Sequence, residues 1–273
     1  MTTRKTSLKS TRPKPAVKHK PKSLKIIANQ YDGGTYNYLK YWNGRDYENA
    51  AEEIAINKFI KNKRFKHAVD VGGGYGRLCL LLEKYADNVT LAEPSKKQLD
   101  IAKDYLKGHN RIQSELMQAD DLKFKDNSID LLTMVRVMHH LPDPSKEFNE
   151  MHRILGKDGY LVLEVANYSH FRNRIKHLVN GQRLPLNPVD VRSKQNQNKE
   201  VIAFVNHNPK TVIKQLDRAG FRVEKTLSVS NLRSPTLKKI IPYAVMVNLE
   251  RIMQPMLAHM YFGPSIFFLL RKK

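Results

Sequence analysis

The chain has 273 residues, of which 41% are hydrophobic, enough for one large α/β domain or two small ones with a proper core. Its single cysteine, Cys79, excludes an intramolecular disulfide, a redox pair and a cysteine zinc site, and no apolar run reaches the roughly 18 to 20 residues that span a bilayer. A formal net charge of +22 points to an anionic partner, whether RNA, anionic lipid or an acidic substrate, unless it serves only solubility.

Residues 1–25 carry nine Lys or Arg, three prolines and no acid, and hold too little apolar surface to offset the entropy of ordering. They read as a disordered basic arm, too charged and proline-broken for a signal peptide, so the expected location is the cytoplasm. The remaining 39 basic and 26 acidic residues still leave +13, so the bias extends into the expected domain, residues 26–273. Next comes an aromatic segment with Tyr31, Tyr36, Tyr41 and Trp42, either a lid over a pocket or a segment packed on the sheet. Apolar residues then recur at helical spacing over 46–61.

From there strand and helix alternate. Strands are expected at 67–71, 88–94, 114–120, 128–135 and 159–166, with helices at 76–86, 96–107 and 144–155 between them. Short, nearly continuous apolar strands separated by amphipathic helices indicate a parallel sheet covered on both faces: a doubly wound, Rossmann-like α/β fold. Residues 168–206 break the rhythm and read as a cap or substrate insertion, being far longer than a routine connection. A helix at 209–220, a strand at 221–231, a helical stretch over 237–260 and a strand at 264–273 complete the chain. The apolar 237–260 region either lines a substrate pocket, lies on a membrane surface, or packs over the final strands.

The chemistry concentrates at strand ends. After the first strand come Gly72, Gly73, Gly74 and Gly76, but the dinucleotide pattern G-x-G-x-x-G fails at its third position, where Arg77 stands. Asp70 precedes the loop and would repel a pyrophosphate. Glu93 ends the second strand, where a carboxylate accepts both hydroxyls of a ribose. Asp120 and Asp121 follow the third, placed to accept from an exocyclic amine such as adenine's. A ribose, an adenine and an amino group without a phosphate describe S-adenosylmethionine.

With these residues in view, "VDVGGGYG", "LAEPS", "QADDLKFKDNSIDLLTMVRVMHHLPDP" and "RILGKDGYLVLEV" resemble the class I S-adenosylmethionine-dependent methyltransferases, the last two stretches looking like the quinone and small-molecule subgroup. The resemblance covers about residues 46–166 and the final strand pair. It implies a seven-stranded sheet, mostly parallel with the last strand antiparallel. It also implies that Asp70 holds the amino end of the cofactor, Gly72, Gly73, Gly74 and Gly76 its close approach, Glu93 the ribose and Asp120 the adenine, and that 134–136, with Val135 and Arg136, pass beside the sulfonium. Lys123 departs from the proline that many relatives carry there.

The acceptor is read largely from absences. Relatives that methylate base amines or some protein amides carry an Asn- or Asp-Pro-Pro-aromatic motif where this chain has "VRVMHHLP", and cytosine C5 chemistry would need a thiolate away from Cys79's place in a helix. Two classes stay open: an enzyme methylating a small or apolar molecule, and an RNA methyltransferase tethered by the basic arm. A non-catalytic cofactor-binding scaffold would have no reason to keep all three strand-end acids. His139 and His140 follow the fourth strand, where one is a base or orients a hydroxyl, or the pair simply pins the loop. Together with Tyr31 and Trp42 they are the substrate-pocket candidates.

Overall fold

The computed structural model describes residues 38–197 and 203–273; the basic arm, Tyr31 and Tyr36 lie outside the described residues. A turn of helix, α1 (Tyr38–Tyr41), precedes α2 (Asp46–Ile60), whose first-turn acids Asp46 and Glu48 complement the positive end of the helix dipole. The apolar positions of α2 are buried as its periodicity predicts, but so are Glu48 and Glu52. Strand β1 (Phe65–Val71) is followed by the glycine loop and a single helical turn, α3 (Cys79–Leu82), where the apolar pattern predicts helix over 76–86. The helix is cut short because β2 (Ala86–Glu93) begins at Ala86 to pair with Phe65. Bonds from Leu81 N to Leu78 O and from Tyr85 N to Leu82 O tighten the connection into 3₁₀-like turns.

Helix α4 (Lys96–Tyr105) starts where Ser95 Oγ accepts from Gln98 N at 3.2 Å. Strand β3 (Ile112–Leu116) begins and ends earlier than the expected 114–120, because Asp121 N bonds Gln118 O and turns the chain. Strand β4 (Ile129–Met134), a 3₁₀ turn at Met138–His140, α5 (Ser145–Ile154) and β5 (Leu155–Ala166) follow the expected alternation.

The interrupting region holds α6 (Phe171–Val179), β6 (Val189–Asp190), the one-turn α7 (Lys194–Gln197) and β7 (Val205–Asn206), with β6 and β7 paired as a small antiparallel ribbon. Helix α8 (Pro209–Arg218), with proline in its first turn, leads into β8 (Phe221–Val229). The stretch expected as helical over 237–260 is two helices, α9 (Pro235–Ile240) and α10 (Tyr243–Met256). Pro242 forces Ile241 out of the helical region, to ψ 126°, and so separates them. Strand β9 (Ser265–Lys272) closes the chain.

The main sheet has seven strands in the order β3-β2-β1-β4-β5-β9-β8. All neighbours from β3 to β5 pair in parallel, and β9 runs antiparallel to both β5 and β8. The expected seven-stranded Rossmann-like sheet is therefore present, its last strand reversed. Its faces bury two apolar layers, one against α2 and α4 around Phe59 and Leu82, the other against α5 and α8 around Phe148 and Phe221. The strand order reverses between β1 and β4, and the crevice beyond the carboxyl ends at such a point is where ligands of these sheets bind.

Candidate cofactor site and active site

Four buried carboxylates converge on that crevice. Asp70, 1% exposed at the end of β1, accepts from Thr133 Oγ1 of β4 at 2.6 Å, with Cys79 Sγ 3.9 Å away. Burial pushes its pKa up to about 6, the Thr133 hydrogen bond pulling the other way. Glycine at 73 is required by this carboxylate: a Cβ there would lie 2.3 Å from Asp70 Oδ2. Gly72, at φ +68°, runs so close to Val137 that a Cβ would lie 2.5 Å from its Cγ2. The loop thus leaves its backbone bare on the crevice.

Glu93 holds this loop from the next strand. Its Oε2 accepts from Gly74 N at 2.8 Å and its Oε1 from Ser95 N at 2.9 Å. Each oxygen has a second lone pair, so the clasp is compatible with accepting ribose hydroxyls. Asp120 and Asp121, by contrast, are exposed on the turn after β3, and Asp121 pairs with Lys123 at 2.5 Å. Leu122 N bonds Glu150 Oε1, and Arg153 donates to Leu122 O and Phe124 O, so the segment is held in place without the proline many relatives carry.

Val135 is buried at the end of β4, and Arg136 adopts φ +61°, an uncommon conformation for a residue with a side chain. Its N–H donates to Glu164 Oε2 at 3.1 Å and its Nε to Glu52 Oε1 at 2.6 Å. Burial disfavours the guanidinium charge, but Glu52 together with Tyr41, Tyr38 and Glu164 more than offsets it, so the pKa lies above its ordinary value. The other oxygen of Glu52 takes Arg77 Nη2 at 2.5 Å. Over this Arg-Glu-Arg triad lies an aromatic cover. Trp42 stacks on Arg77 at 3.8 Å and on Arg136 at 4.7 Å, Tyr41 OH accepts from Arg136 Nη1 at 3.1 Å, and Tyr38 stacks on Tyr41 and borders Gly74. Trp42 therefore covers the arginines flanking the loop.

His139 and His140 lie on the 3₁₀ turn, their ring centroids 3.9 Å apart, with Phe204, just before β7, 4.4 Å from His139. His140 Nδ1 bonds Ala203 O at 3.0 Å, and His207 Nε2 bonds Met138 O at 2.9 Å. His140 thus ties the turn to the backbone at Ala203, whereas His139 has no hydrogen-bond partner among the described residues. Burial, reinforced by His140, Arg136 and His207, lowers the His139 pKa well below its ordinary value, so its ring stays neutral and is a weaker base than a free imidazole.

Sequence reasoning missed Thr133, Glu52, Arg77 and Glu164. Only Glu52 left a readable signal, an acid set in the apolar phase of α2. Bare loop backbone, two carboxylates at adjacent strand ends and the absence of a phosphate-friendly cradle fit an adenosyl ligand bearing an amino group.

Residues 69–163 match the family described as a methyltransferase domain. That stretch is a methyltransferase domain, built on the fold of class I S-adenosylmethionine-dependent methyltransferases. This domain is 29% identical over 124 residues to the uncharacterized methyltransferase YcgJ of Bacillus subtilis (strain 168), covering 44% of this chain and 49% of that protein. It is 27% identical over 110 residues to the demethylmenaquinone methyltransferase of Clavibacter sepedonicus, covering 40% of this chain and 45% of the relative. These matches span less than half the length of either curated relative. A solved Thermotoga maritima structure, described as a SAM-dependent methyltransferase and possible histamine N-methyltransferase, shares the fold of the methyltransferase domain with a TM-score of 0.58. It has 17% identity over 86% of this chain and 95% of that one.

Proposed function

We propose that this protein transfers a methyl group from S-adenosylmethionine to a small, largely apolar acceptor, from a cytoplasmic location. The observation that carries the reading is the pair of buried carboxylates, Asp70 and Glu93, at the ends of adjacent strands beside a glycine loop of bare backbone that Glu93 clasps. Bound there, the cofactor supplies an activated methyl group on a sulfonium. The chain's own residues orient it: Asp70 receives the amino end, Glu93 the ribose hydroxyls, and the Val135–Arg136 turn borders the reacting centre. Asp120 is the adenine contact in this reading, and Asp121 flanks it.

In-line displacement needs alignment and exclusion of water more than it needs acid–base groups. A hydroxyl acceptor would also lose a proton, and the neutral ring of His139, beside Phe204, is placed to orient that hydroxyl or take its proton. The acceptor class is supported by that apolar and imidazole wall and by the quinone-directed relative. The competing reading, RNA methylation, draws on the net charge of +22. Incubating the protein with cell extract and methyl-labelled cofactor separates the two: label is expected in the organic phase, and label in RNA instead would reject the apolar acceptor.

Cofactor affinity should also depend on pH in a stated direction. Asp70's folded pKa lies above the ordinary carboxylate value, so the native state binds more protons than the unfolded one between about pH 4 and 6. The charged form therefore lowers stability by an amount on the order of 2–3 kcal/mol, fully present above about pH 6 and relieved as pH falls. A ligand ammonium beside Asp70 favours that charged form, so calorimetric affinity for S-adenosylhomocysteine should rise from pH 5 to 7 and then level off. In Asp70→Asn the affinity should be weak and flat with pH; a wild-type profile that is flat, or falls, would refute the pairing.

A further inference from the structure

Helix α10 is inverted. Its buried residues Met246, Glu250 and Gln254 form one stripe at four-residue spacing, two of the three polar. Glu250 accepts from Tyr47 OH at 2.6 Å and from Ser230 N at 2.8 Å, and Gln254 Nε2 donates to Ala51 O at 2.8 Å. The polar groups are consumed in fixing the helix to α2 and to the end of β8. The opposite face presents Val245, Leu249, Ile252 and Met256 to solvent, with Met260 just beyond; Ile252 is 60% and Met256 69% exposed.

Helix α6 repeats the pattern. No residue of it is buried, and Phe171, Ile175, Leu178 and Val179 recur at one-face spacing, with Leu178 80% and Val179 79% exposed. The start of α6 meets the turn after α10: Phe171 stacks on Phe262 at 4.8 Å, and its N–H donates to Phe262 O. The charge is mostly basic. Residues 165–189 contain Arg172, Arg174, Lys176 and Arg183 and no acid, and Lys239 and Arg251 are exposed on α9 and α10, while Asp46 and Glu53 of α2 lie near Tyr243 at the start of α10.

We propose that α6 and α10 together form a docking surface for an anionic lipid bilayer. Exposed apolar side chains beside basic ones are what an interfacial helix needs, the first entering the acyl boundary and the second meeting the headgroups. A second copy of the chain fits the face poorly, because it would set one basic rim against another.

The test is sedimentation of the full chain with vesicles of phosphatidylcholine containing phosphatidylglycerol, against vesicles of phosphatidylcholine alone. Wild type should bind the anionic vesicles preferentially. The paired substitutions Ile252→Ser with Met256→Ser, and separately Leu178→Ser with Val179→Ser, should each weaken that binding about tenfold or more. Unfolding temperature and affinity for S-adenosylhomocysteine should stay unchanged, so the cofactor reading is reported separately. The α6 pair, on a helix with no buried residue, keeps the test valid should the α10 pair fold poorly. Unchanged vesicle binding in both pairs would overturn the proposal, leaving the arm's charge as sufficient or the face as covered by residues 1–37. Loss of a dimer in sedimentation velocity without loss of vesicle binding would overturn it too, marking the face as a subunit interface.

Discussion

Glu93→Ala is expected to lower affinity for S-adenosylmethionine and its demethylated product by about a hundredfold or more, and to destabilise the protein. The carboxylate is 4% exposed and accepts from two backbone N–H groups, Gly74 N at 2.8 Å and Ser95 N at 2.9 Å. A hydrogen bond to a charged group is worth roughly 1.5–3 kcal/mol, and a buried donor left without its acceptor bears the full desolvation penalty. Removing both bonds frees the loop that carries the bare backbone and removes the acceptor assigned to the ribose. Glu93→Gln restores one acceptor but turns an amide N–H₂ toward the other donor, so it should fall between wild type and alanine. Calorimetry and thermal unfolding read the two effects separately. A folded Glu93→Ala protein with wild-type affinity would remove Glu93 from the cofactor site.

The largest loss of stability is expected from Glu52→Ala, about 3–5 kcal/mol. Glu52 is 1% exposed and neutralises Arg77 at 2.5 Å and Arg136 at 2.6 Å, whose side chains are themselves only 11% and 16% exposed. Its removal strands two guanidinium charges in a region they cannot readily leave. The Trp42 face, stacked on both, compensates only in part. In a domain of this size the loss corresponds to a fall in unfolding temperature of roughly 10 °C. Because Arg77 follows the glycine loop and Arg136 lies in the turn after β4, cofactor affinity should fall with it. Glu52→Gln, which keeps the hydrogen-bonding shape without the charge, should recover part of both, as denaturant titration would show. An alanine variant within about 0.5 kcal/mol of wild type would mean that the triad does not hold the site together.

Much of the fold was legible because the relevant information is local. Apolar runs such as "HAVDV" and helical periodicities such as 46–61 are decided by which face of a short element must leave water, and they predicted elements close to those observed. The misses occur where an element is bounded by a distant partner. Apolar spacing alone extends the α3 helix to Ala86, but Ala86 belongs to β2 because it pairs with Phe65. Pro242 is the exception: its effect is local, and a single helical stretch over 237–260 underrated it.

By itself, then, the sequence determined the alternation of strand and helix, the glycine loop and the strand-end acids Asp70 and Glu93, since each depends on a few consecutive residues. Only the tertiary structure decided what those acids meet within the chain. Asp70 meets Thr133, 63 residues away, Arg136 meets Glu52, 84 residues away, and the acids Asp120 and Asp121 remain on an exposed turn. It also decided that α10 turns its polar stripe inward, because Glu250 finds partners in Tyr47 and Ser230 that no local pattern announces. Periodicity identifies the face of a helix that differs from the rest, but whether that face is buried depends on the groups that pack against it from elsewhere in the chain.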